Sequence, residues 1–163
     1  MSEPIIKNLQ DTLPQIGRVA WVGVRPASRQ PLVAVDHVLA SRENALEGDR
    51  FNSQKSKKRQ VTLIQAEHID TVSSIMGNVV DPGTLRRNIV VSGINLLALK
   101  DRKFKIGEAI LEYTGLCHPC SRMETNLGPG GWNAMRGHGG ITAQVIEDGV
   151  ITLDDSVSVI LSS

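Results

Sequence analysis

The chain has 163 residues, 40% of them hydrophobic, and 18 Lys and Arg against 17 Asp and Glu give a formal charge of +1. That is enough for one soluble domain with a sizeable core, and it excludes broad electrostatic adhesion to nucleic acid or a membrane surface. No stretch reaches the roughly 20 apolar residues of a membrane span, and the N-terminus lacks the regions of a signal peptide, so a cytoplasmic protein is expected.

Residues 1–16 contain Pro4 and Pro14 and show no period, which predicts a loosely docked arm ahead of a domain over 17–163. From Gly17, Val19, Trp21 and Gly23 alternate with Ala20, Val22 and Val24, as in a strand buried on both faces. Arg25-Pro26 to Gln30-Pro31 reads as a turn, and Leu32–Val38 as the hairpin partner. Gly48-Asp49 is a turn signal with Asp49 suited to anchoring backbone, and Arg50 is either a surface charge or an anion contact. The basic run Lys55–Arg59 reads as a solvated loop.

Gln60–Ile64 is β-branched and strand-like. Over Gln65–Met76 the period changes: Ala66, Ile69, Val72, Ile75 and Met76 predict an amphipathic helix stopped at Gly77-Asn78. Glu67 and His68 are read as solvent-facing. After the Asp81-Pro82-Gly83 turn, Asn88–Ser92 reads as a strand with Arg86, Arg87 and Asn88 at its mouth. Two guanidiniums beside an amide suit a phosphate, and they equally suit a plain surface.

Ile94–Leu99 is one helical turn, and Lys103–Ile106 with Ala109–Thr114 forms a hairpin across Gly107-Glu108. Ile141–Ile146, Val150–Leu153 and Ser156–Leu161 are the last strands. Eight or nine short strands with at most two short helices predict a mostly-β barrel or sandwich. Neither GxGxxG nor GxxxxGK[ST] occurs, which argues against a βαβ nucleotide fold.

Between the hairpin and the last strands runs Thr114–Gly140, an irregular segment with six glycines between Gly128 and Gly140, His118, His138 and both cysteines, Cys117 and Cys120. Long ordered loops are usually functional. A thiol near positive charge is biased toward thiolate, the reactive and metal-binding form, and Arg122 and Arg136 lie in the same segment. Pro119 restricts His118 to extended backbone and stiffens the approach to Cys120, while Gly128, Gly130 and Gly131 permit close approach to a ligand.

Three readings remain open: Cys120 on a soft metal within a cofactor, a persulfide or CxxC redox pair, or two buried thiols in a partner-binding loop. A structural zinc site from Cys117, His118, Cys120 and His138 is disfavoured, because the second half lacks paired ligand spacing.

Five segments occur in an informative order: Glu47–Arg50 (EGDR), Gln60–Ile64 (QVTLI), Leu85–Gly93 (LRRNIVVSG), Gly107–Met123 (GEAILEYTGLCHPCSRM) and Met135–Ile151 (MRGHGGITAQVIEDGVI). Together they resemble the MOSC domain, the module named for the C-terminal part of molybdenum cofactor sulfurases, in its small stand-alone bacterial form.

The resemblance implies a MOSC-type β-barrel with one or two short peripheral helices. It also implies binding of the molybdenum cofactor (molybdopterin), a pterin dithiolene carrying a phosphate. Characterised relatives ligate molybdenum through one cysteine and reduce N-hydroxylated compounds. Carried over, the family cysteine falls on Cys120, as metal ligand and catalytic residue, with Cys117 accessory. The Arg-x-Asn feature falls on Arg86 and Asn88, and the later arginine on Arg136. Arg50, Arg87, Ser121 and Arg122 complete the expected cofactor contacts, with His138 a candidate proton donor.

The implied partners are a small-molecule substrate and, with no ferredoxin-like segment here, a separate electron-donor protein. Pyridoxal phosphate is associated with the family only at a general level. The alternative is a sulfur carrier with a persulfide on Cys120. One departure is Asp154-Asp155, where members commonly carry Gly-Asp, and it touches a turn.

Overall fold

Strand β1 (Gly17–Val24) changes face half-way along. Against β6 (Ile89–Ser92) its register runs Val19↔Val91 and then Trp21↔Val90, so one residue bulges out between them. Val19 faces the core before the bulge, Val22 and Val24 face it afterwards, and Ala20 is exposed. The simple alternation expected from sequence fails here because a bulge inserts one residue and flips every later side chain. The displaced Trp21 ring instead lies over Gly23, where any Cβ would strike the indole.

The computed structural model describes residues 3–27, 29–50 and 57–161. Its other strands are β2 (Val33–Ala34), β3 (His37–Ser41), β4 (Ala45–Leu46), β5 (Val61–Gln65), β7 (Lys103–Ile106), β8 (Ala109–Leu116), β9 (Ile141–Glu147), β10 (Gly149–Thr152) and β11 (Ser156–Ile160). Seven close a barrel in the order β1-β6-β5-β9-β8-β7-β11, sealed by Gly17↔Val157 and Arg18↔Ser156. Strands β5 and β6 run parallel, which requires a crossover, and helix α2 (Ala66–Met76) supplies it. Gly77, at φ 77°, closes α2 with its amide on the Ser73 carbonyl, as its position predicts.

The stretch read as one partner strand, Leu32–Val38, divides. Its first part, β2, pairs with β1, while β3 leaves to join β10 and β4 in a small second sheet. The described strands thus number eleven.

Helices are also more numerous than the one or two expected. Besides α2, the described residues contain α1 (Glu3–Asp11), α3 (Ser121–Leu127) and α4 (Gly131–Met135). Helix α1 lies where no period was legible, tied by an ion pair from Asp11 to Arg102. Helices α3 and α4 occupy the segment read as irregular. The glycines that interrupt its pattern sit at helix ends, Gly128 (φ 93°) closing α3 and Gly130 (φ 90°) opening α4.

Two apolar clusters hold this together. Inside the barrel, Leu63, Ile89, Phe104, Ile106 and Leu111 are fully buried. Outside it, Met123, Ala134 and Met135 from α3 and α4 pack with Ile64, Val72, Leu85 and Val90. Each fully buried Leu, Ile, Phe or Met stabilises by roughly 1.5–3 kcal/mol, so burial holds these short helices where their own propensity would not. No helix among the described residues is long and apolar enough to cross a membrane.

Candidate functional site

Asn88 joins three segments at one end of the barrel. Its Oδ1 accepts from the Thr62 amide (3.2 Å) and hydroxyl (3.1 Å). Its Nδ2 donates to the Gly23 carbonyl (3.2 Å) and to Asp49 Oδ1 (3.3 Å). The side-chain amide is thereby engaged at both ends and fixes the walls of a cleft. Asp49 anchors backbone as its turn position suggests, though the backbone is distant in sequence: it accepts the Arg25 amide over 2.7 Å. Burial pushes the Asp49 carboxyl above its ordinary range, against the hydrogen bond and charge of Arg25.

The cleft has a volume of about 710 Å³. Arg25 and Arg29 enter it from the loop after β1, Arg50 from beyond β4, and Arg59 from just before β5. Arg86 and Arg87 enter from the segment before β6, and Arg122 from the first turn of α3. Two carboxylates, Asp49 and Asp81, share it with Cys117 and Cys120. A larger groove of about 1040 Å³ between α1 and Leu97–Lys103 has neither thiol nor imidazole in its lining, whereas the smaller cleft has both cysteines.

Cys120 is exposed at the N-cap of α3, and its carbonyl accepts the Met123 amide over 3.0 Å. Cys117 is buried, held by its amide on the Gly140 carbonyl (2.9 Å), with Arg59 Nη2 3.9 Å from its sulfur. The segment around Cys120 is fastened from α4: Trp132 Nε1 donates to the Pro119 carbonyl over 3.1 Å. Glu124 accepts the amides of Trp132 and Gly130, both at 3.0 Å, and these hold its carboxyl below the usual range.

Arg87 is 4% exposed. Its Nε donates to the Gly139 carbonyl and its Nη1 to the Leu85 carbonyl, both at 2.8 Å. Its buried Nη2 has no partner among the described residues, and neither has Nε of Arg25. Arg86, at φ 60°, ends the short 3-10 turn Pro82–Leu85.

Of the residues singled out from sequence, the structure brings Cys120, Arg50, Arg86, Arg87, Asn88 and Arg122 to the cleft, with Cys117 beside them. Ser121, Arg136 and His138 do not line it. Arg136 lies 5.5 Å from the Trp132 ring centroid. His138 packs edge-on against His68, ring centroids 5.1 Å apart, with Nδ1 3.0 Å from the Ala134 carbonyl. His68 is therefore half-buried rather than solvent-facing. Its backbone position gives no hint of this, because the covering ring arrives from α4's far end.

Sequence reasoning passed over Arg25, Arg29 and Arg59. The first two lie in the loop read only as a turn, and Arg59 in the run read as a solvated loop. Of that run, Lys55 and Ser56 lie outside the described residues. Arginines flanking a Pro-rich turn were the signal available.

A family model described as the MOSC domain matches residues 37–158. The chain belongs to the MOSC family. Among solved structures this MOSC chain is similar to the YuaD protein of Bacillus subtilis, at 17% identity and a TM-score of 0.79, covering 93% of this chain and 100% of that one. It is also similar to YiiM from Geobacillus stearothermophilus (16%, TM-score 0.71, 89% and 75% covered) and YiiM from Escherichia coli (18%, 0.69, 90% and 71%). Identities this low carry the fold alone. No curated protein matches the sequence.

MOSC domains are associated with the molybdenum cofactor, and the donor set of this MOSC cleft fits that group. An exposed thiol suits a soft metal, guanidiniums suit a phosphate, and the orphaned buried Nη2 of Arg87 calls for an acceptor.

Proposed function

We propose that this MOSC chain binds the molybdenum cofactor in the arginine-lined cleft, with Cys120 as the metal's protein ligand, and reduces N-hydroxylated small molecules. The observation that carries it is the pairing of an exposed thiol with seven arginines, none ion-paired among the described residues. When bound, the cofactor supplies a two-electron centre suited to taking oxygen from an N–O bond. Overall, two electrons and two protons convert N–OH to N–H and water, the electrons coming from a separate donor protein.

The chain's own residues bind and orient. The α4 contacts to Pro119 and Glu124 hold Cys120 at the cleft rim. Arg86 and Arg122 would offer planar forks to the cofactor phosphate, a geometry lysine lacks, and Arg87 its Nη2, the group left without a partner among the described residues. Cys117 is buried against Arg59 and leaves the metal to Cys120. Sulfur carriage, the alternative, would need the Cys120 thiol and leave the arginines without a role.

The test is molybdenum and pterin content after anaerobic purification from a cofactor-producing host, with Cys120→Ser alongside. Near-stoichiometric metal and pterin, with the metal lost in the variant, is the expected result. Empty protein from a host that makes the cofactor would overturn the proposal, and the mass of one added sulfur on Cys120 would then favour carriage.

A further inference from the structure

Two segments distant in sequence place a pair of arginines together in the cleft. The Arg50 amide donates to the Arg25 carbonyl over 2.6 Å, and the Arg25 amide donates to Asp49. Both arginines line the cleft, and neither is ion-paired among the described residues. The cleft's carboxylates are largely occupied with backbone and amide groups: Asp49 with Arg25 N–H and Asn88, while also offsetting part of the Arg25 charge, and Asp81 with the Gly83 amide at 2.8 Å.

Like charges gathered in a partly desolvated cleft repel unless an anion lies among them. One phosphate is satisfied by two or three guanidinium forks, and Arg86 and Arg122 already supply two, with the Nη2 of Arg87 beside them. The pair on the β1 and β4 exits is surplus to that need, and the buried Nε of Arg25 still lacks an acceptor.

We propose that Arg25 and Arg50 form a second anion site that grips a phosphoryl group on the substrate, so that the substrates are N-hydroxylated compounds carried as phosphate esters. This rests on the function proposed above, and the phosphate ester is bound without being changed. The other cleft arginines then set the distance between the two anions, one on the cofactor and one on the substrate.

The test uses protein purified from a cofactor-producing host, with molybdenum measured on every sample. Adenosine monophosphate and adenosine serve as product-like probes in titration calorimetry at low and physiological salt. The expected result is about tenfold or greater preference for the monophosphate, the equivalent of one charge-assisted contact, weakening with salt. Arg25→Gln/Arg50→Gln should abolish that preference, with binding referred to the molybdenum measured in each sample, since Arg25 and Arg50 contribute only backbone groups to the contacts holding both turns. Arg42→Gln/Lys105→Gln, outside the cleft, controls for net charge.

Equal affinity for both probes in metal-loaded protein would overturn the second anion site and leave the proposed function standing. A preference that survives in the Arg25/Arg50 variant would overturn the assignment to this pair. Metal-free wild-type protein would overturn the proposed function, and this inference with it.

Discussion

The indole N–H of Trp132 reaches across from α4 to the carbonyl of Pro119, one residue before the exposed thiol of Cys120. Arg136 stacks over the same ring, so two groups from α4 bear on the cysteine without entering the cleft. Trp132→Phe keeps the ring and removes the donor. Stability should fall by about 1 kcal/mol, and alkylation of Cys120 should become at least about twofold faster as its backbone loosens. An unchanged alkylation rate would show that the bond does not position the thiol.

Arg87 is a buried tie between the Leu85 and Gly139 carbonyls. Arg87→Leu would strand both acceptors, at about 1–3 kcal/mol each. Urea denaturation should show a loss of roughly 2–5 kcal/mol on that basis. Arg87→Lys should recover little of it, because one ammonium cannot serve two carbonyls in fork geometry.

Gly140 stands at φ 85°, and a methyl there would collide with the Leu63 carbonyl oxygen. Backbone strain and a collision with backbone both oppose a side chain. Gly140→Ala should cost about 3 kcal/mol or more, measurable as a lowered urea midpoint. Gly77→Ala, with open space around its Cβ, is the comparison, expected to cost about 1 kcal/mol.

Burial pushes the His68 imidazole below its ordinary pKa of 6.5, and the adjoining His138 adds to the shift while Glu67 opposes it. The folded protein therefore binds fewer protons at this site than the unfolded chain. Stability is full above the ordinary value and is lost as pH falls from there through the lowered folded value. Melting temperature should decline between about pH 7 and pH 5, and His68→Gln should flatten that decline. An equal slope in the variant would place the effect elsewhere.

Much of the barrel is legible in residue order. The β7–β8 hairpin, α2 with its Gly77 stop and the late strands follow from local periods and turn residues. The bulge in β1, the departure of β3 to a second sheet and the closure of β1 on β11 depend on which distant strand offers hydrogen bonds, and no local pattern encodes that. The site divides in the same way. Cys120 stands out by residue type and its place in the Thr114–Gly140 segment and the Arg86–Asn88 group through the family resemblance, whereas Arg25 and Arg59 enter the cleft only through the fold. Arg136 and His138, read as site residues from the same loop, sit on Trp132 and His68 instead because α4 turns them outward.

The seam between β1 and β11 is narrow, two residue pairs joining strands from opposite ends of the described chain. During synthesis β1 leaves the ribosome early, and while β2 can cover Gly23 and Val24, the Gly17–Arg18 end must wait unpaired until the residues around Val157 emerge. Slow codons or a stalled ribosome ahead of that point would lengthen the interval in which that strand end is open to other chains. For this protein, soluble yield should therefore depend on the pace of translation, more than on the strength of any one contact in the finished barrel.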